Sequence, residues 1–443
     1  MTLQETTSLY NQLLESSAAA PSAEEPEAVV RLRSSALARF REKGFPTGKN
    51  EDWRFTSLTP YTDTHFSLEK ISPGEDAIRN AIAETAIPGL DAYQLVLVNG
   101  SIRSDLSTLP DEKQAIIQPI DVAVSSGVFD AYLHENSFTG SDSLLALSTA
   151  LFTDGCYINI PKGAVVDKPI RIIHIYGAVD NVFFQPRHLW VINRHARATI
   201  IEQSVVVKDD RTLSLANSVC RVALEEDARL THYELQQNAA GERWLHYSRV
   251  SQQRGSRYDN FTFSMPGADL IRNNLEMSLD DTATETHLYG LYLVGSDQLT
   301  DNHTAIAHQH PSCQSNQLYK GVITGNGKAV FNGKVLVSQD AQQTNAYQQN
   351  NNLLLSDHAR VYAKPQLEIY ADDVKCSHGC TIGQFNPEAL FYLRSRGIDE
   401  AAARNLLVEA FAYDITDKME DEPVKAYMQQ LIHDSMTTTV VAG

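Results

Sequence analysis

Cationic charge is what this sequence is short of. Its 443 residues carry 37 Lys and Arg against 55 Asp and Glu, a formal net charge of −18. Wrapping a nucleic acid or lying on an anionic membrane requires clustered cations, so neither partner is expected. Cysteine is scarce too: five residues, an odd number without framework spacing, which argues against a secreted disulfide scaffold. No window approaches the ~20 apolar residues of a membrane span. The opening MTLQETTSLYNQLLESSAAAP lacks a basic n-region and an apolar h-region, so no signal peptide is expected, and a reducing cytoplasm is the expected location. Missing as well are GxxxxGK[ST], a GxGxxG after a strand, and GxSxG. If ATP matters to this protein, a partner hydrolyses it.

Helical periodicity is absent over the long central stretch. From GCYINIPKG (155–163) to DDVKCSHG (372–379), runs such as IRIIHIYG, ATIIEQSVVV and AVFNGKVLV follow one another. A turn with a small residue precedes many of them. Ala196 and Ala228 in one pair, and Ala329 and Ala359 in another, stand about 30 residues apart, room for two strands per coil. A small-residue corner on every coil is the mark of a β-solenoid. AQQTNAYQQNNN (341–352) supports it, because amides on successive rungs can hydrogen-bond along the stack. A β-sandwich, the alternative, would show cleaner Asn-Gly hairpins. The expected architecture is therefore mainly β. A helical or mixed amino-terminal domain (1–150) precedes the solenoid core (151–385), and a helical domain (386–443) follows it.

In the amino-terminal part, Leu3, Leu9, Leu13 and Leu14 suggest a helix, followed by a polar connector at 16–27. Val29 to Phe40 suggests a second helix, stopped at Gly44 and Pro46, and QLVLVNG (94–100) a strand ending in a turn. In the last part Asn386 and Asp399 read as N-caps. Leu406, Leu407, Ala410 and Phe411 are expected to form one buried face, and a third helix to run from Glu422 to His433. Such a domain can cap a solenoid, bind a partner, or do both.

The densest chemistry lies in Asp372-Asp373-Val374-Lys375-Cys376-Ser377-His378-Gly379-Cys380. On an extended strand, alternation puts Cys376, His378 and Cys380 on one face. Thiolate and imidazole suit zinc, iron and iron–sulfur clusters, but the motif alone lacks a full ligand set. Remaining ligands would come from elsewhere in the fold or from another chain; the bland alternative is a buried strand end. His303, His308 and His310 with Cys313 read more readily as a polar loop than as a chelate. Cys156 and Cys220 read as small hydrophobes, and Glu225-Glu226-Asp227 as a solvated turn. Two rival functions remain: a solenoid enzyme acting on carbohydrate with Asp280 or Asp372, and a structural zinc protein using Cys376, His378 and Cys380.

Three long phrases carry a resemblance: KGVITGNGKAVFNGKV (320–335), DAQQTNAYQQNNNLLLSDHARVYAKPQLEIYADDVKCSHGCTIGQ (340–384) and LFYLRSRGI (390–398). With NEDWRFTSL (50–58), they resemble the SufB/SufD scaffold family of the SUF iron–sulfur cluster assembly system. The SufD branch is nearer, since C-S-H-G follows DDVK directly and no amino-terminal cysteine cluster is present. The resemblance implies a right-handed parallel β-helix and a non-catalytic scaffold that binds no nucleotide itself. It implies a heterodimer with a SufB-like paralogue through the end of the β-helix, and engagement of the ABC-type ATPase SufC by the carboxy-terminal helices. It allows a homodimer for the isolated chain. It carries Cys376 and His378 to the partner interface, where a transient iron–sulfur cluster would form; Cys380 is not required by the family pattern.

Overall fold

The structure, a computed structural model, describes residues 13, 26–67, 72–128, 143–177, 181–208 and 212–441. Most of the helix expected around Leu3 to Leu14, and nearly all of the 16–27 connector, lies outside the described residues. The fold is mainly β, 44% strand and 24% helix, and its centre is a β-solenoid of about eight turns. Successive strands alternate between two sheets. One sheet runs through Tyr93–Val98, Ile170–Gly177 and Arg197–Val207 to Thr344–Leu354 and Val374–Gly383. The other runs through Cys156–Ile160, Arg187–Ile192 and Ser214–Leu224 to Lys328–Val337 and Arg360–Ile369. Along the solenoid the pairing is parallel and in register. Arg229 lies beside Arg257, Arg257 beside Glu285, Glu285 beside Gln314, and Gln314 beside Asn345.

The corners explain the repeated small residues. His195, Asp227, Ala283, Ser312 and Gln343 adopt positive φ (55–63°), and Gly255 does the same at 67°. Each is followed by a small or short residue that turns into the coil: Ala196, Ala228, Thr284, Cys313, Thr344 and Ser256, all buried. The backbone N–H of His195 donates to Glu226 O of the next rung, and that of Asp227 donates to Arg254 O. The Glu225-Glu226-Asp227 turn is solvated as expected, and Glu226 pairs there with both Arg194 and Arg254.

The interior carries polar side chains among its apolar ones. The column Tyr258, Thr286, Ser315, Ala346 runs beside the column His232, Asn260, Leu288, Gln317, Gln348. Amides do ladder: Gln348 Nε2 donates to Gln317 Oε1 at 2.9 Å, and Asn273 Nδ2 to Asn302 Oδ1 at 2.9 Å. Farther along, large and small residues interlock, since a Cβ on Gly290 would sit 2.3 Å from the Tyr319 ring. Gly290→Val is therefore expected to destabilise the fold by ~1–3 kcal/mol through overpacking. A urea titration checks this, and an unshifted midpoint would show that Tyr319 can simply turn away.

The terminal segments cover the outer faces. The helix Glu27–Lys43 ends at Gly44, as expected, and places Phe40 with Trp53, Leu147, Leu215 and Leu245 against the second sheet. The carboxy-terminal helices Glu400–Thr416 and Glu422–Val441 lie along the first sheet, and the exposed helix Pro387–Ser395 packs on the first of them. Asn386 Oδ1 accepts from Glu388 N and Asp399 from Ala402 N, so both caps form. Two expectations need correction. The middle helix buries Ala403, Val408, Ala412 and Ile415; of the expected face only Phe411 packs, partly buried, against the sheet cluster, while Ala410 is exposed. Val408, Ala412 and Ile415 meet outward-facing Tyr233, Phe261 and Leu291, and Leu406 remains 43% exposed. The third helix also continues beyond His433 to Val441.

At its first end the solenoid is closed by antiparallel pairs, Ser101–Ile102 on Tyr93–Val98 and Ile116–Pro119 on Cys156–Ile160. Among the described residues its other end has no such closure. Arg360–Ile369 and Val374–Gly383 are outermost in their sheets, and the helices Glu400–Thr416 and Glu422–Val441 pack on the sheet face instead of capping the end.

Candidate metal-binding end of the solenoid

Cys376, His378 and Cys380 lie on that last strand, Val374–Gly383. Register decides where they point. Ala346 pairs with Cys376, Gln348 with His378 and Asn350 with Cys380, and all three partners are buried lumen residues. The motif residues therefore top three interior columns and share one face, as alternation requires. With no further rung above them, Cys376 is half-buried and His378 and Cys380 are exposed.

Cys376 packs beside Ala346, Val335 and Leu367. Burial raises its thiol pKa, partly offset by a backbone hydrogen bond from Ala346. Burial also raises Cys380, whose Sγ lies 3.8 Å from Asn350 Oδ1. Both thiols hold their protons until a metal or another cation displaces them. Strand geometry sets a limit on what they can bind. Positions i and i+4 lie ~13 Å apart along a strand, so Cys376 and Cys380 cannot share one ion at ordinary bond lengths. Among the described residues, no three His, Cys, Asp or Glu side chains converge at metal-binding distances. The facing strand presents Ala363, Pro365 and Leu367 to the lumen, none of them a ligand. A structural zinc enclosed by Cys376, His378 and Cys380 is therefore out of reach. The end offers an open, incomplete row of soft and borderline donors.

The remaining candidates do not join it. His303 contacts Asp301 at 2.8 Å, on the outer face of the second sheet. His308 is fully buried in the lumen against Ser315 at 2.9 Å, a correction to the polar-loop reading that holds only for the turn after it. His310 is exposed, and Cys313 fills a corner. Asp280 is held by Ser278 and Gln309, while Asp372 sits in an exposed turn three rungs away, ~15 Å by ordinary strand spacing. That exceeds the carboxylate separation of glycosidases.

A family model described as "SUF system FeS cluster assembly, SufBD core domain" matches residues 174–411, and one described as "SufBD protein N-terminal region" matches 4–172. The chain belongs to the SufBD family of iron–sulfur cluster assembly proteins. It is 33% identical to the SufBD family protein slr0076 of Synechocystis over 420 residues, covering 92% of this chain and 91% of the relative. It is 31% identical to Escherichia coli SufD (88% and 89% covered) and 23% identical to Bacillus subtilis SufD (92% and 94% covered). The SufD branch inferred from the motif agrees with these relatives. No described helix is long and apolar enough to cross a membrane.

Two features of the structure escaped the sequence reading. Near the first end of the lumen, Glu202 accepts from His174 Nε2 and His232 Nε2, each at 2.9 Å. Cys156 Sγ lies 3.3 Å from His188 Nδ1, and burial pushes His188 down to about 3. Cys156 and Cys220 are buried as expected, in the apolar core with Ile158, Trp190 and Val222, at the margin of this polar group. Counting four residues on from each corner would have aligned His232 with Gln348 and His378. The second feature is the anchor of NEDWRFTSL (50–58). Trp53 stacks under the Arg272 guanidinium at 3.9 Å, Phe55 stacks on Tyr362 at 4.0 Å, and Thr56 donates to Asp301. The motif straps the amino-terminal domain across several rungs of the second sheet.

Proposed function

We propose that this chain is the SufD-type subunit of a cytoplasmic complex with a SufB-like paralogue and a SufC-like ABC ATPase, in which it acts as a non-catalytic scaffold. The observation that carries the reading is the uncapped last coil. Two parallel edge strands leave their outer backbone groups available for another chain, and His378 tops an interior column there with Cys376 beside it. Edges of this kind are normally covered, and a second solenoid end is the natural cover. His378 would coordinate iron through a neutral imidazole nitrogen and Cys376 would assist as thiolate. The paralogue would supply the thiolates that complete a transient cluster, which is cargo rather than a resident cofactor. Exposed Phe391, Tyr392, Leu406 and Tyr413 on the carboxy-terminal helices offer the ATPase an apolar footing.

Co-expression with the candidate SufB and SufC proteins, with a tag on this chain alone, tests the complex. Both partners should co-purify. His378→Ala should leave the fold and the complex intact while lowering iron and sulfide on it several-fold. Full cluster content in that variant would remove His378 from the role, and a solitary chain would overturn the complex.

A further inference from the structure

Directly beneath the open end the lumen holds a short stack of amides. Gln317 and Gln348 occupy successive rungs of one interior column, and His378 is the next residue in it. Both glutamines are buried, at 1% and 3% exposure. Gln317 Nε2 donates across the coil to Thr304 Oγ1 at 2.6 Å, and Gln348 Nε2 donates to Gln317 Oε1 at 2.9 Å. A planar carboxamide points its C=O away from the N–H anti to it. An amide that donates down the column therefore presents its oxygen up it. Space fixes the side chain as well: a Cβ on Gly333 would collide with Gln348 Nε2, so a glycine there is what lets the amide lie across the lumen.

Gln348 Oε1 is nonetheless buried and, among the described residues, accepts from no donor. A buried carbonyl oxygen left in that state costs stability and calls for a reason. The row above supplies one. Cys376 stands over Ala346, which has no side-chain acceptor, and Cys380 over Asn350, whose Oδ1 already accepts from Asn352 Nδ2 at 2.7 Å. Of the three motif residues, only His378 stands over a buried acceptor that is still open. Ordinary strand spacing puts the two backbones about 4.8 Å apart. The exposed ring can turn about χ1 and χ2 to close that gap.

We propose that Gln348 is a positioning residue for His378: its Oε1 accepts the Nδ1 proton, fixes the tautomer, and leaves Nε2 bare at the rim for iron. Metal-binding histidines are commonly held in this way, with the second nitrogen tied to an oxygen that orients the ring. Nδ1 is the nitrogen nearer the strand, while Nε2 lies at the far edge, where another chain can reach it. Thr304 and Gln317 hold the acceptor in place from below. The inference deepens the assembly role proposed above and rests on His378 being a ligand.

Two measurements test the hydrogen bond and the role separately. In the isolated full chain, histidine nitrogen-15 NMR spectra at pH ~8 should show His378 as the Nδ1–H tautomer, with His378→Ala identifying its resonances. An unbonded imidazole in water favours Nε2–H, and Gln348→Met should return His378 to that form. In the co-expressed complex, Gln348→Met should lower iron and sulfide about tenfold with the partners still bound. Gln348→Glu keeps an acceptor and should restore most of that content; Gln317 can turn over to donate to it, with the Thr304 hydroxyl then donating to Gln317. A purely structural role predicts the reverse order, because a buried carboxylate is costlier than a buried thioether. Thermal melts verify folding, and should Gln348→Met fail to fold, the tautomer in the parent chain still decides. Nε2–H in the parent, or full cluster content in a folded Gln348→Met complex, would overturn the role of Gln348 while leaving His378 a ligand. Full content in His378→Ala would instead overturn the ligand reading itself, whatever the spectra show.

Discussion

Arg272→Leu is expected to destabilise the protein by about 3–5 kcal/mol, the usual cost of removing one partner from a buried ion pair. Arg272 and Asp301 are each about 1% exposed and paired with one another. Asp301 is held down to about 2 against the opposing pull of burial, with the Arg272 charge foremost among its supports, then His303 and Thr56. Without the guanidinium, the carboxylate is left charged in a dry site, or must take up a proton. Trp53 loses the cation over its ring at the same time. The damage should therefore show twice: as a lower denaturation midpoint, and as faster proteolysis between residues 44 and 58 where the strap loosens. The double variant Arg272→Met/Asp301→Leu should recover most of the loss, because it removes both charges together. A single variant within about 1 kcal/mol of the parent would mean the pair is solvated rather than buried.

How much of this was legible beforehand depended on the range of the interaction. Corners were readable because a left-handed residue followed by a small one is a local signal, and Ala196 and Ala228 repeat it. The N-caps Asn386 and Asp399 were readable for the same reason. Alternation along one strand sufficed to place Cys376, His378 and Cys380 on one face. It was silent on whether that face was the lumen, and on the absence of a covering rung. Arg272, Asp301 and Trp53 were not legible as a group, since their meeting joins residue 53 to residue 301 through tertiary packing alone. The buried face of Glu400–Thr416 was misjudged because bulk stood in for burial. Against the sheet surface of Tyr233 and Phe261 the helix turns Val408, Ala412 and Ile415 inward and leaves Leu406 outside. His308 was misjudged because its Gln, Pro and Ser neighbours belong to the turn, while the histidine is the last lumen residue of the strand before it.

That misplaced histidine sets the second large effect, a loss of stability on mild acidification. Burial pushes His308 down to about 4, against ~6.5 in an unfolded chain. Below pH ~6.5 the unfolded state takes up a proton that the folded state refuses, so stability falls as the pH drops from ~6.5 toward 4 and levels off beneath it. At 1.36 kcal/mol per unit, this group alone should remove about 3 kcal/mol by pH 4. Asp301 acts in the adjoining window. Its folded value near 2 lies below the ~3.9 of a free aspartate, so its contribution is present above pH ~4 and lost as the pH falls toward 2. Buried Glu242, which is raised, works in the opposite sense. Urea midpoints from pH 7.5 to 4 would measure the upper slope. His308→Gln, which can still hydrogen-bond Ser315, should flatten that slope by about one proton without touching the Asp301 window. If the variant and the parent lose stability in parallel between pH 6.5 and 4.5, His308 is already solvated in the native state. The lumen at that rung would then be wet, and the polar part of the interior would have to be counted as a channel for water rather than as packed core.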